Sequence, residues 1–261
     1  MECRMDGRVA VITGGSLGLG KAMATEFARS GAKVAMVARR AEVLEDAKSD
    51  IASAVSGAMV EAFPCDMCDP DAIKAMHGAV VAALGDVDIV VNNAGTSRAM
   101  DFMDITDELW NEDLELKLMG AVRLIRLTFP GMKERRWGRI INVLNSGAKA
   151  PRASGAPTAV SRAAGMALTK VLAGEGAPYN VLVNGMLVGL IESDQHYQRF
   201  LKSGSNESLE DFYDKMGKSV PMGRVGKAEE FANMACFLAS DAGSYITGTA
   251  INVDGNRTPV V

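Results

Sequence analysis

The sequence predicts an α/β fold, doubly wound, with a largely parallel sheet covered by helices on both faces. Three observations predict it. Short runs rich in Val, Ile and Leu alternate with longer segments of helical spacing from one end of the chain to the other. The apolar runs are continuous rather than alternating, as in strands buried on both faces. A glycine-rich turn follows the first run and opens the first helical segment, the order strand, turn, helix.

The elements follow in order. Runs at 8–13, 33–38, 58–63, 88–93, 139–144, 180–186 and 250–253 read as strands. Segments at 19–30, 41–55, 69–84, 107–133, 158–175 and 228–239 carry helical spacing between them. Repeated βα alternation in one chain is the signature of a doubly wound sheet. With 261 residues, 48% of them hydrophobic, the chain is long enough to bury a sizeable core. No linker, low-complexity stretch or internal repeat divides it, so one domain over residues 1–261 is expected. The polar stretch 193–220 departs from the rhythm and reads either as a flap over a site or as a surface helical insertion.

Composition excludes several classes. A net charge of -4 leaves no excess of cations for phosphates, which argues against a nucleic-acid-binding protein. No apolar run has the length of a membrane span, and the N-terminus lacks the apolar core of a signal peptide, so a cytoplasmic protein without membrane attachment is expected. Cys65 and Cys68 form a lone C-x-x-C in "PCDMCDP". No second pair follows and both histidines lie elsewhere, so no metal site is expected.

In "VITGGSLGLGKAM", Gly14, Gly18 and Gly20 occupy the turn between the first strand and helix. Glycines let the backbone approach a pyrophosphate, and the helix N-terminus offers unpaired N–H groups and the positive end of its dipole. This motif, "NNAG" at 92–95 and the tail "FLASDAGSYITGTAINVDG" at 237–255 resemble the short-chain dehydrogenase/reductase family, including bacterial 3-oxoacyl carrier-protein reductases. The resemblance runs from about residue 6 to 255. It implies a Rossmann-type sheet of about seven parallel strands, a bound nicotinamide dinucleotide, a small-molecule substrate and a homo-oligomer, tetramer or dimer.

The resemblance also assigns cofactor positions. The turn residues Gly14, Ser16, Leu17, Gly18, Leu19 and Gly20 would hold the pyrophosphate side. Asp66 with Met67 matches the pair at the adenine, and Asn93, Ala94 and Gly95 match the segment lining the adenosine ribose. Ile191 matches the residue at the carboxamide, and Ser193 stands where a threonine meets the pyrophosphate. An acidic side chain after the second strand selects NAD, whereas arginine selects the 2′-phosphate of NADP. Here "VARRAEVLE" puts Ala38 at the acidic position, followed by Arg39 and Arg40; the family's basic position inside the glycine turn is Leu17. NADP(H) is therefore expected over NAD(H).

The chemical end departs from the family. Its active members use a tyrosine as proton donor, a lysine four residues later that also binds the nicotinamide ribose, a serine after the fifth strand and an asparagine on the preceding long helix. Registered on "GRIINVL" and "RAAGMALTK", the serine position falls on Asn145, or on Ser146 if the loop shifts by one. The tyrosine position falls on Thr158 and the lysine position on Arg162. The asparagine position falls on Lys117. No Tyr-x-x-x-Lys pair exists anywhere in the chain. A threonine hydroxyl is a far weaker acid than a phenol, and arginine binds charge without shuttling protons.

Lys117, Arg162, Lys149 and Arg152 raise the prospect of four cations around one cleft and of an anionic substrate. The alternative has Lys149 and Arg152 facing solvent and Lys117 paired with Glu112 or Asp113. Three functions compete: an NADP-linked oxidoreductase with substituted catalytic groups, in which His196, Tyr197 or the substrate supplies the proton; a catalytically silent dinucleotide-binding protein, as redox sensor or inactive partner subunit; and non-redox chemistry on the same fold.

Overall fold

The computed structural model describes residues 2–204 and 206–261. Seven parallel strands form its main sheet: β1 (Val9–Thr13), β2 (Lys33–Ala38), β3 (Met59–Pro64), β4 (Val87–Asn92), β6 (Gly138–Asn145), β8 (Val181–Val188) and β9 (Ala250–Val253). Their spatial order is β3-β2-β1-β4-β6-β8-β9. The direction of winding reverses between β1 and β4, and a doubly wound sheet opens its ligand crevice at the carboxyl ends beside such a switch point. Two short strands, β5 (Ala99–Met100) and β7 (Ala156–Pro157), pair antiparallel outside the main sheet.

Every residue of β1 and β4 is buried, which is why their sequences are apolar without alternation. One face of the sheet packs against α1 (Gly18–Arg29), α2 (Ala41–Ala54) and α9 (Ala228–Ala239), with Met23, Phe27, Leu44, Ile51 and Phe231 in that core. The other packs against α3 (Pro70–Leu84), α5 (Gly120–Arg135) and α6 (Thr158–Gly176), through Ile73, Val80, Leu124 and Met132. No helix among the described residues is long and apolar enough to cross a membrane.

One expected helix differs from the sequence expectation. The helix expected at 107–133 is α4 (Asp107–Leu114) joined to α5 by a π-helical turn at Glu115–Met119. Such a turn adds a residue to the helix and turns its side chains relative to those before it. Lys117 lies in it and points inward. The stretch 193–220 folds into α7 (Asp194–Ser203) and α8 (Leu209–Gly217), joined by contact of the Phe200 and Phe212 rings at 5.5 Å; Ser205 lies outside the described residues.

Candidate active site

A cleft of about 790 Å3 runs along the carboxyl ends of the strands. At one end lies the glycine turn. A Cβ on Gly20 would stand 2.0 Å from the Gly14 carbonyl oxygen, so no other residue fits there without moving the turn. Gly14 has φ +66, in the left-handed region open to glycine. Leu17, the residue before α1, makes no side-chain cap to the helix, and the first turn carries no acidic residue. The first N–H groups of α1 therefore lack a side-chain acceptor and remain available to an anion. Thr13 Oγ1 anchors the neighbouring wall, accepting from the Asn93 and Ala94 amides at 3.0 Å.

Most residues expected at the cofactor line this cleft: Gly14, Ser16, Leu17, Gly18, Leu19, Gly20, Arg39, Arg40, Met67, Asn93, Ala94, Gly95, Arg162, Ile191 and Ser193. Asp66 does not. Its exposed carboxylate turns back to accept from the Cys68 amide at 2.9 Å, and Cys65 and Met67 form the wall instead. Burial first, then Asp66 and Asp69, pushes the Cys65 thiol up to about 11. Both thiols of the C-x-x-C are free.

At the other end stand Asn145, Ser146, Thr158 and Arg162. Pairing of β5 with β7 brings the chain after β4 against the start of α6, and the Arg98 amide donates to Thr158 Oγ1 at 2.9 Å. Lys117 lies behind Thr158 rather than in the cleft wall, and its Nζ donates to Thr158 Oγ1 at 2.6 Å. Nζ also donates to Asp113 Oδ1, one helical turn earlier, and Asp113 Oδ2 accepts from Ser161 Oγ at 2.6 Å. The Lys117 and Asp113 side chains are 0% and 1% exposed. Burial pushes the Lys117 ammonium down to about 8 against the upward pull of Asp113, with Arg162 and Arg98 adding to the fall. Burial likewise lowers the Arg162 guanidinium to about 10; its Nη1 donates to the Val143 carbonyl at 2.7 Å. Asn145 Oδ1 is buried without a hydrogen-bond partner among the described residues.

The four cations considered from sequence do not gather around the cleft. Lys149 Nζ is held by the Ala250 carbonyl at 2.6 Å and by Asn252 Oδ1 at 3.0 Å, and exposed Arg152 lies off the cleft. Lys117 takes the alternative partner, Asp113. Arg257, which the sequence did not single out, does line the cleft. It follows β9 in a turn set by Asp254, whose carboxylate accepts from the Asn256 and Thr258 amides at 3.0 and 2.8 Å. His196 also lines the cleft, with Nδ1 2.9 Å from the Ile191 carbonyl and its pKa lowered chiefly by burial. Tyr197 does not line it. Asp113 and Ser161 were missed as site residues: the i,i+4 spacing to Lys117 marked the first, while nothing local marked Ser161.

An all-parallel sheet with a glycine turn beside its switch point belongs to the class of Rossmann-type α/β proteins. Comparison with known proteins narrows the class. The family model for enoyl-(acyl carrier protein) reductase matches residues 14–256. The chain is 34% identical over 250 residues to the 3-oxoacyl-[acyl-carrier-protein] reductase of Escherichia coli, covering 96% of this chain and 97% of that protein. L-sorbose reductase from Gluconobacter frateurii, solved with NADPH and L-sorbose, superposes with a TM-score of 0.94 at 33% identity, over 100% of both chains. An NADPH-bound short-chain oxidoreductase from Pseudomonas aeruginosa PAO1, described as containing an atypical catalytic center, superposes at 0.91 with 35% identity over 99% of both. The chain belongs to the short-chain dehydrogenase/reductase family.

Proposed function

We propose that this protein is an NADP(H)-linked oxidoreductase of a small carbonyl compound, working with Lys117, Asn145, Thr158 and Arg162 where the family has asparagine, serine, tyrosine and lysine. The observation that carries the reading is one cleft with a glycine cradle at one end and the Asn145–Thr158 wall at the other. The uncapped start of α1 and the space a Cβ would fill at Gly20 suit a pyrophosphate. A bound reduced nicotinamide supplies the hydride. Arg39 and Arg40 line the β2 end with no ion pair among the described residues, which favours a 2′-phosphate and so NADP(H) over NAD(H). Similarity to two structures solved with NADPH supports the same choice.

Asn145 and Thr158 would orient the substrate oxygen, and Arg162 would hold positive charge beside the ribose. Half-buried Arg257, without an ion pair among the described residues, favours a substrate carrying an anionic group. Exposed Val160 and Val171 on α6 favour a homo-oligomer, dimer or tetramer.

A second reading, a catalytically silent dinucleotide-binding protein, is favoured by one observation: no tyrosine lines the cleft among the described residues. Calorimetry with NADPH and NADH, followed by a carbonyl screen, separates the two. Tight NADPH binding with turnover is expected. Binding without turnover that a Thr158→Tyr/Arg162→Lys double variant restores would favour the silent protein. Failure to bind either dinucleotide would overturn both readings.

A further inference from the structure

Thr158 Oγ1 accepts two hydrogen bonds, from Lys117 Nζ at 2.6 Å and from the Arg98 amide at 2.9 Å. A hydroxyl has two acceptor positions and one hydrogen to donate. Both acceptor positions are filled, and that hydrogen has no acceptor among the described residues, while Thr158 forms part of the cleft wall. Its hydrogen is thus free for a ligand oxygen in the cleft. Behind it, Lys117 and Asp113 form an ion pair fully withdrawn from solvent. Such a pair contributes little net stability, because desolvation offsets its attraction. Here it holds an acidic N–H against a hydroxyl that lines the cleft.

We propose that Lys117 is the proton source of the reaction, relayed to the substrate oxygen through the Thr158 hydroxyl, with Asp113 and Ser161 as positioning residues. The relay rests on the reading of the protein as an NADP(H)-linked reductase. In reduction, the carbonyl carbon gains a hydride, with its electron pair, from bound NADPH. The carbonyl oxygen takes the Thr158 hydroxyl proton as Thr158 Oγ1 takes a proton from Lys117 Nζ. One O–H and one N–H bond break, two O–H bonds form, and the lysine is left neutral. Thr158 never has to become an alkoxide, which removes the objection to threonine as an acid. After product leaves, water in the cleft returns the proton by the same hydroxyl. Alcohol oxidation runs the transfers backward.

The charges facing Lys117 come from three sides: Asp113 on α4, Arg162 on α6, and Arg98 on the segment before β5. Burial and the two arginines make the ammonium acidic, while Asp113 keeps it populated near neutral pH. Asp113 also fixes its direction, and Ser161, donating to Asp113 Oδ2 at 2.6 Å, fixes the carboxylate.

Two measurements test the relay. Carbon NMR of isotopically labelled lysine in the protein without dinucleotide should give Lys117 a titration midpoint near 8, lower still in Asp113→Asn. A midpoint near the ordinary 10.5, or one that Asp113→Asn leaves in place, would overturn it. In single-turnover NADPH oxidation, Thr158→Val should lose about two to four orders of magnitude in rate. NADPH affinity should hold within a few-fold, and Thr158→Ser should keep most of the rate. Thr158→Val is isosteric, so it stays informative if Asp113→Asn does not fold. Turnover that survives in Thr158→Val within twofold overturns the relay alone. Absence of wild-type turnover with every carbonyl tried overturns the reductase reading and the relay with it.

Discussion

Lys117 Nζ lies 2.6 Å from Thr158 Oγ1, joining the π turn after α4 to the first residue of α6. Both residues are buried, yet Thr158 lines the cleft on its other side. The contact links a charge withdrawn from water to the place where a substrate oxygen would sit. It depends on two local features: the π turn that aims Lys117 inward, and the β5–β7 pairing that brings Arg98 to Thr158.

Dinucleotide choice follows from Arg39 and Arg40. Replacing both with Ala is expected to weaken NADPH binding about ten- to hundredfold, since hydrogen bonds to charged groups contribute roughly 1.5–3 kcal/mol. NADH binding should barely change. Calorimetry with the two dinucleotides checks this, and equal losses for both would remove the arginines from the 2′-phosphate.

The glycine cradle makes a steric prediction. Gly20→Ala would place a methyl 2.0 Å from the Gly14 carbonyl oxygen. The turn must open, at a cost of about 1–3 kcal/mol of stability by the usual scale of overpacking. A lowered melting temperature and loss of NADPH binding are expected together. Gly78→Ala serves as the control: a Cβ there meets nothing within 4 Å, and NADPH binding should stay intact.

Lys117 should leave a signature in stability against pH. Its folded-state pKa, near 8, lies below the ordinary 10.5. Below pH 8 the lysine is charged in both states, and the cost of burying that charge is fully felt. Between about 8 and 10.5 the unfolded chain binds more protons, so stability rises with pH through that window and then levels off. Relative to Lys117→Met, the wild type should gain stability across it in urea melts. Parallel curves for the two proteins would show that the lysine is not depressed.

Arg257 bears on substrate charge. Arg257→Leu is expected to raise KM for carboxylate-bearing carbonyl compounds about tenfold or more, the scale of a lost charge-assisted hydrogen bond. KM for neutral ones should not change. Steady-state kinetics on a matched acid and amide measures it, and an equal effect on both would leave the substrate's charge unread.

Much of the architecture was legible because periodicity and burial speak locally. The strand expected at 250–253 and the helix expected at 228–239 have those same bounds in β9 and α9. The glycine turn was legible because steric need leaves only one residue type at Gly20. The π turn was not, since one added helical residue leaves no mark in apolar spacing, yet it decides where Lys117 points. The direction of Lys149 was equally hidden: its partners, Ala250 and Asn252, lie about a hundred residues away on β9. Arg257 escaped notice because only the Asp254 turn, a tertiary feature at the chain end, carries it to the cleft.

The most direct test of the account is the pH dependence of kcat/KM for carbonyl reduction in the wild type and in Asp113→Asn. The proton source must be charged, so reduction should fall as pH rises through about 8 in the wild type. Removing the Asp113 carboxylate takes away the pull that keeps Lys117 protonated, so the alkaline limb should move to lower pH. A limb that stays in place in Asp113→Asn, or none below pH 10, would contradict Lys117 as the source of the proton.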